Sequence, residues 1–230
     1  MKIAEIYKEY QVPKNLQEHM FRVASVAKIV LSKIEQDIDS DSIIQACLVH
    51  DLGNIVKFTL DNEDIIRNPE DVLFLKELQK KFIDRYGEDD HVATKKILDE
   101  IGVVERVKDL ALVVGSKGEG IQVVAQGKNL EAKIFIYCDA RVSPYDIVSV
   151  EERLRDLKSR YIQTDRLHRL SKEEFQFMEQ YTLDITRQIE ELLGEYVQDI
   201  RNLNKNRLHC LAGRFILIIL IQILCWQKII

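Results

Sequence analysis

The sequence predicts an all-α domain, on three observations. Apolar residues recur at three- and four-residue spacing along most of the chain. No alternation of apolar and polar residues runs long enough for a strand, and three prolines and nine glycines fall almost entirely between the periodic segments. With 230 residues, 46% hydrophobic and 31% charged, the chain is long enough for one sizeable core and has the composition of a soluble globular protein.

In chain order, Ile3 to Tyr10 predicts a short amphipathic helix ended by Val12-Pro13. Leu16, Met20, Val23, Ala27 and Val30 then mark one face of a long helix, with His19, Arg22 and Val26 along its edge. His19 and Arg22, three apart, therefore point to nearly the same place. Asp39-Ser40-Asp41 supplies the N-cap for a helix from Ser42 to Leu52, where Ile43, Ala46, Cys47 and His50 share a face and Gly53 reads as the C-terminal glycine. Thr59 to Asn68 reads as a loop. Pro69 opens a helix carrying Val72, Leu75 and Leu78 that closes near Gly87. Glu88, Asp89 and Asp90 precede His91 and cap a helix that ends at Gly102. A helix from Glu105 to Val114 leads into a glycine-rich connection, Gly115 to Gly127. Leu130 to Val142 is apolar on most sides, as a central helix should be, until Ser143-Pro144 breaks it. Val150 to Arg166 and Ser171 to Val197 are charged amphipathic helices, the second opened by the capping box Ser171-Lys172-Glu173-Glu174. Neither carries a ligand cluster, so both are assigned to scaffolding or to a homodimer contact. The expected division is a site-bearing helical domain over 1–145, helices packing on it over 146–200, and a basic then hydrophobic tail over 201–230.

The net charge of −5 disfavours a general nucleic-acid surface. The charge is unevenly spread: no acid follows Asp199, whereas Arg201, Lys205, Arg207, Arg214 and Lys228 do. The closing run from Phe215 to Ile230 has sixteen residues and contains Gln222, short of the roughly 20 that span a bilayer. Membrane contact through it is not favoured over a buried closing helix or an aberrant terminus. Cys47, Cys138, Cys210 and Cys225 form no C-x-x-C pair and read as core thiols of a reducing compartment. With a charged amphipathic start that lacks a signal-peptide apolar region, the expected location is cytoplasmic.

Chemistry concentrates in the stretch CLVHDLGNIVKF, Cys47 to Phe58. An imidazole beside a carboxylate at the end of a buried helix is costly unless both are paired or bind a metal. Two further polar residues interrupt apolar helices: His19 in LQEHMFRVA and Asp139 in IFIYCDARV. Each alone reads as a satisfied helix-edge histidine or a buried ion-pair partner. As a set, His19, His50, Asp51 and Asp139 read as a metal site. Two imidazoles and two carboxylates suit Mn, Fe, Co, Ni or Zn better than calcium, with Mg also open, and the absence of cysteine ligands argues against structural zinc.

In that order and context the set resembles the HD superfamily of metal-dependent phosphohydrolases, whose pattern is H, then HD, then D. The resemblance runs from about Lys14 to Tyr145, and HDLG with the H-x-x-R-V start is its most specific part. It implies an HD-domain helical bundle with additional C-terminal helices, a bound divalent metal, and hydrolysis of a small phosphorylated substrate such as a nucleotide by a metal-activated water that Asp51 helps to orient. Phosphate also needs cations. Arg22, one turn beyond His19, is the first candidate and Lys57 the second. Lys117, in GSKGEG, lacks the spacing of a phosphate-binding P-loop and reads as a plain loop residue. His91 falls between the HD pair and Asp139 and is expected beside the metal, with Lys95 on its face. The chain departs from better-known HD families: it has no HHE or GYP element, Asn54-Ile55-Val56-Lys57 replaces the Glu-Asp pair of alarmone hydrolases, and Asn54 stands where many members have lysine. Two alternatives stand beside the hydrolase: a non-catalytic HD-fold binding or signalling module, and a di-iron oxygenase. The oxygenase would need more histidines than His91.

Overall fold

The computed structural model describes residues 2–60, 71–113, 119–162 and 170–204. They form an all-α bundle, and the β pairing among them is an isolated antiparallel bridge between Val142 and Ile147. Helix α1 (Ile3–Glu9) leads into α2 (Lys14–Leu31) and α3 (Ser40–Val49), followed by a 3-10 turn over Asn54–Lys57. Then come α4 (Asp71–Tyr86), α5 (Asp90–Ile101), α6 (Glu105–Val113), α7 (Glu119–Gln126) and α8 (Leu130–Ala140). The chain continues through α9 (Val150–Ile162), α10 (Lys172–Leu193) and α11 (Val197–Arg201).

Local chemistry sets these boundaries. Asp39 accepts a hydrogen bond from the Ser42 amide at the start of α3, Asp89 accepts from the His91 and Val92 amides at α5, and Asn129 accepts from Ala132 at α8. Each such cap is worth about 1 kcal/mol. Ser171 and Glu174 complete the expected capping box of α10. Gly102 closes α5 in the left-handed conformation.

Packing then places three helices together. The α2 helix lies against α3 and α8, and α3 also touches α8 and α6. Met20, Val23 and Ala27 of α2, Ile43 and Cys47 of α3, and Phe135 and Cys138 of α8 are fully buried. The α10 helix covers α7, α8 and α9. Arg141, just past α8, is a buried guanidinium whose Nε donates to Val148 O at 2.6 Å, Nη1 to the Tyr137 hydroxyl at 3.3 Å and Nη2 to Ile200 O at 2.9 Å. It ties the end of α8 to the loop that follows and to α11. At the other end, the Tyr7 hydroxyl donates to Leu48 O at 2.7 Å and fixes α1 on α3.

The structure corrects three sequence expectations. Inside the supposed connection Gly115–Gly127 lies α7, because Ile121, Val124 and Ala125 find burial against α10 that outweighs the local glycine content. The helix expected from Ser171 to Val197 ends at Leu193, where Gly194 takes φ +53° and a 3-10 turn intervenes before α11. Gly53 is no left-handed cap. Its φ is −89°, and α3 has already ended at Val49. A Cβ there would sit 2.5 Å from Thr94 N and 2.8 Å from both the Ala93 Cβ and Asp90 O, so glycine is required by the close approach of α5. The Gly53 amide also donates to Thr94 Oγ1 at 3.1 Å. Among the described residues no helix is long and apolar enough to cross a membrane. Lys117 and the run 215–230 lie outside the described residues.

Because the contact at Gly53 is with backbone, Gly53→Ala should destabilise the fold by about 1–3 kcal/mol. Urea unfolding measures this, and a wild-type midpoint would show that α5 can move away at little cost.

Candidate metal centre

Each member of the expected set comes from a different part of the three-helix contact. His19 lies on the buried face of α2, His50 caps α3, Asp51 follows it in the turn, and Asp139 is in the last turn of α8. Ending α3 at Val49 matters, because Asp51 then leaves the helix surface and faces the same place as its neighbour. The Nε2 atom of His19 is 3.1 Å from Asp139 Oδ1 and 3.6 Å from Asp51 Oδ2. Nε2 of His50 is 3.5 Å from both Asp51 Oδ1 and Asp139 Oδ1. The Asp51 carboxylate thus offers one oxygen to each imidazole.

Donors of His19, His50 and Asp139 all lie within 4.8 Å of one another. Ligands about 2.0–2.2 Å from a common transition-metal ion stand about 3 to 3.5 Å apart, which is close to the separations found here. The His50 ring has one nitrogen engaged and the other turned toward the carboxylates. Its Nδ1 lies 3.0 Å from the Cys47 carbonyl, so Nδ1–H donates there and Nε2 carries the lone pair in the neutral ring. That Nε2 is the buried polar side-chain atom left without a hydrogen-bond partner among the described residues. Buried polar atoms are seldom left so, and a metal would satisfy it. The imidazoles are almost fully enclosed, with side chains 8% and 1% exposed, whereas both carboxylates are 18% exposed. The centre therefore opens to solvent on its carboxylate side.

Electrostatics agree. Burial pushes the His50 ring toward neutrality, but Asp51 and Asp139 outweigh it and lift the pKa from 6.5 to about 9. Burial likewise pushes the Asp139 carboxyl up, yet the hydrogen bonds and charge of His19 and His50 hold it well below the ordinary range. Cys47 and Cys138, beside the centre, are free, buried thiols whose burial raises their pKa, consistent with core packing.

Residues 6–59 match the family described as HD domain. The match covers less than half of the chain, and over that segment the chain is similar to an HD domain. No curated protein and no solved structure matches it. The matched segment holds His19, His50 and Asp51 and stops short of Asp139, so the last member of the HD set rests on the geometry just described. HD domains are of a metal-dependent phosphohydrolase type and bind divalent metals, which agrees with the donor cluster.

The other expected site residues lie outside this donor group. Arg22 donates from Nη2 to Glu18 Oε2 at 3.1 Å and from Nη1 to Pro144 O at 3.3 Å. Lys57 donates to Asp90 Oδ2 at 2.6 Å. Asp90 was legible in the sequence only as a helix cap, but it is 3% exposed, and although burial raises its pKa, Lys57 outweighs this and lowers it. His91, at the start of α5, has Nε2 3.7 Å from Asp90 Oδ2. Lys95, one turn on, is exposed and its ammonium lies 2.8 Å from Asp99, its i, i+4 neighbour.

The raised His50 pKa has a consequence for the metal-free protein. A proton held by folded His50 and released by the unfolded chain stabilises the fold fully below about 6.5, and that contribution is lost as pH rises toward about 9. Chelator-treated protein should lose stability across this window in denaturant titrations, and added divalent metal should restore it at the upper end. A midpoint that is flat or rises from pH 6.5 to 9 would contradict the His50 assignment.

Proposed function

We propose that the chain hydrolyses a small phosphoester, with nucleotides as the leading class, at a divalent ion held by His19, His50, Asp51 and Asp139. The supporting observation is the unpartnered, buried Nε2 of His50 facing two carboxylates. A divalent ion supplies a water of lowered pKa and offsets charge on a phosphoryl oxygen.

The chain's own groups would do the rest. The Asp51 carboxylate is partly open to solvent, so it can accept a hydrogen bond from the attacking water and orient it. Cys47 O holds the His50 tautomer with Nε2 facing inward. Arg22, one turn from His19, retains donors beyond the two already engaged, since a guanidinium carries five N–H groups. It is assigned to a phosphate oxygen. Lys57, on the turn after Gly53, adds positive charge whose position Asp90 fixes. His91 is assigned to the rim of the site through the same carboxylate.

One observation favours the alternative of a non-catalytic HD-fold binding module: Arg22 and Lys57 already have acidic partners in Glu18 and Asp90. The two readings separate in one assay. Purified protein loaded with Mn, Mg, Co or Ni should hydrolyse members of a phosphoester and nucleotide panel. His50→Ala and Asp51→Ala should lose both metal retention and turnover while keeping their helical circular dichroism. Arg22→Ala should retain the metal and lose about tenfold or more in kcat/KM, the size of one charge-assisted phosphate contact. Turnover of nothing across the panel would move the assignment to the binding module, and full metal retention in His50→Ala would remove that residue from the site.

A further inference from the structure

Just past α8 the chain buries a positive charge that meets no acid among the described residues. Arg141 is 1% exposed, and its guanidinium donates only to neutral acceptors, the Val148 and Ile200 carbonyls and the Tyr137 hydroxyl. Burying a charge on those terms is costly. Each terminal nitrogen of a guanidinium carries a pair of N–H groups, and Nη1 and Nη2 here each engage a single acceptor among the described residues. One N–H on each is therefore left over.

Arg141 also lines a cavity of about 300 Å³ between the start of α9, the second half of α10 and α11, a size at the lower end of small-ligand sites. None of His19, His50, Asp51 and Asp139 lines it. The walls are almost wholly polar: Ser149, Thr186, Gln198 and Asn202 offer hydroxyl and amide groups, and Val150 is the apolar side chain among them. Such walls suit a ligand that carries hydroxyls and give an apolar one little to bury against.

The remaining lining residues set the charge of that ligand. Glu190 takes Arg201 Nε at 2.9 Å and Nη2 at 2.5 Å, and Glu152 Oε2 accepts from the Ser149 amide at 2.9 Å. Glu151 lies exposed in the first turn of α9. One negative charge in the cavity would meet Arg141, whereas a second would meet these carboxylates, because Arg201 is already paired. We infer that the cavity binds a small hydroxylated monocarboxylate. Its carboxylate takes the remaining N–H groups of Arg141, as planar carboxylates pair with guanidinium, and its hydroxyls meet Ser149, Gln198 and Asn202. The assignment stands apart from the phosphohydrolase reading, since it uses neither the donor cluster nor its metal.

Ligand-observed NMR titrations of the full chain with glycerate, glycerol and glycerol 3-phosphate test this, because the probes share a carbon frame and differ in charge. Wild type should bind glycerate about tenfold or more tighter than glycerol, the size of one charge-assisted contact, and tighter than glycerol 3-phosphate. Gln198→Trp places an indole at the exposed side of the cavity and leaves the bonds of Arg141 in place. It should weaken glycerate about tenfold or more while the helical circular dichroism stays that of wild type. Arg141→Lys keeps the charge but not the paired nitrogens and should weaken glycerate as much, and where that variant does not fold Gln198→Trp decides alone. Glycerate affinity should also agree to within about threefold with and without EDTA, since no metal takes part. Equal affinity for glycerate and glycerol, or binding of neither, would overturn the proposal. So would glycerol 3-phosphate as the tightest probe, or a Gln198→Trp variant that binds glycerate as wild type does. Loss of glycerate binding in EDTA would overturn it too, by moving the carboxylate to the donor cluster.

Discussion

Two imidazoles and two carboxylates meet where α2, α3 and α8 cross, and this contact constrains much else in the domain. An uncompensated charge in such a setting costs several kcal/mol. The three helices must therefore cross where His19, the end of α3 and the last turn of α8 can face one another. The side chains around them are sized for that approach: Ala24, Ala27, Ala46 and Cys138 are fully buried and small. Asp51 reaches the cluster only because α3 ends before it. Nε2 of His50 is buried there without a hydrogen bond, 3.5 Å from both carboxylates.

Around that contact the structure adds a second set of polar anchors. On one side Gly53 lets α5 come within backbone contact of the turn that carries Asp51, and the Lys57–Asp90 pair seals the same junction with a 2.6 Å ion pair. On the other side Arg141 pins the end of α8 through three acceptors on separate parts of the chain. Both anchors fix the backbone next to a carboxylate of the cluster. Such support is what keeps a site preorganised, since a displacement of an ångström is enough to lose geometry that depends on several ligands.

Much of this was legible in the sequence, and the reasons differ by residue. His19, His50 and Asp139 stood out because each interrupts an apolar helical face, where an ionisable group without a partner is expensive. The helices were legible from their period and their caps, and Asp39, Asp89, Asn129 and Ser171 all accept the amide bonds that end-capping requires. Asp90 was misread because an acid at a helix start looks like a cap whether it is exposed or buried. Gly53 was misread because a glycine after a helix suggests a left-handed residue, whereas its real reason is a neighbour 37 positions or more away in Asp90 to Thr94. The α7 helix was missed for a related cause, since its burial under α10 is supplied by a distant part of the chain. Arg141 carried a usable signal that went unread: an arginine two residues after Asp139 at the end of an apolar helix needs buried acceptors, as Asp139 needs partners. Sequence period reports local burial well, and long-range backbone contact poorly.

The account depends on one ion bridging these four side chains, and anomalous diffraction from crystals grown with manganese would test that directly. It predicts a single strong peak within bonding distance of Nε2 of His19, Nε2 of His50 and a carboxylate oxygen of each of Asp51 and Asp139. Absence of a peak there with the four side chains still clustered, or a peak held by other residues, would contradict it.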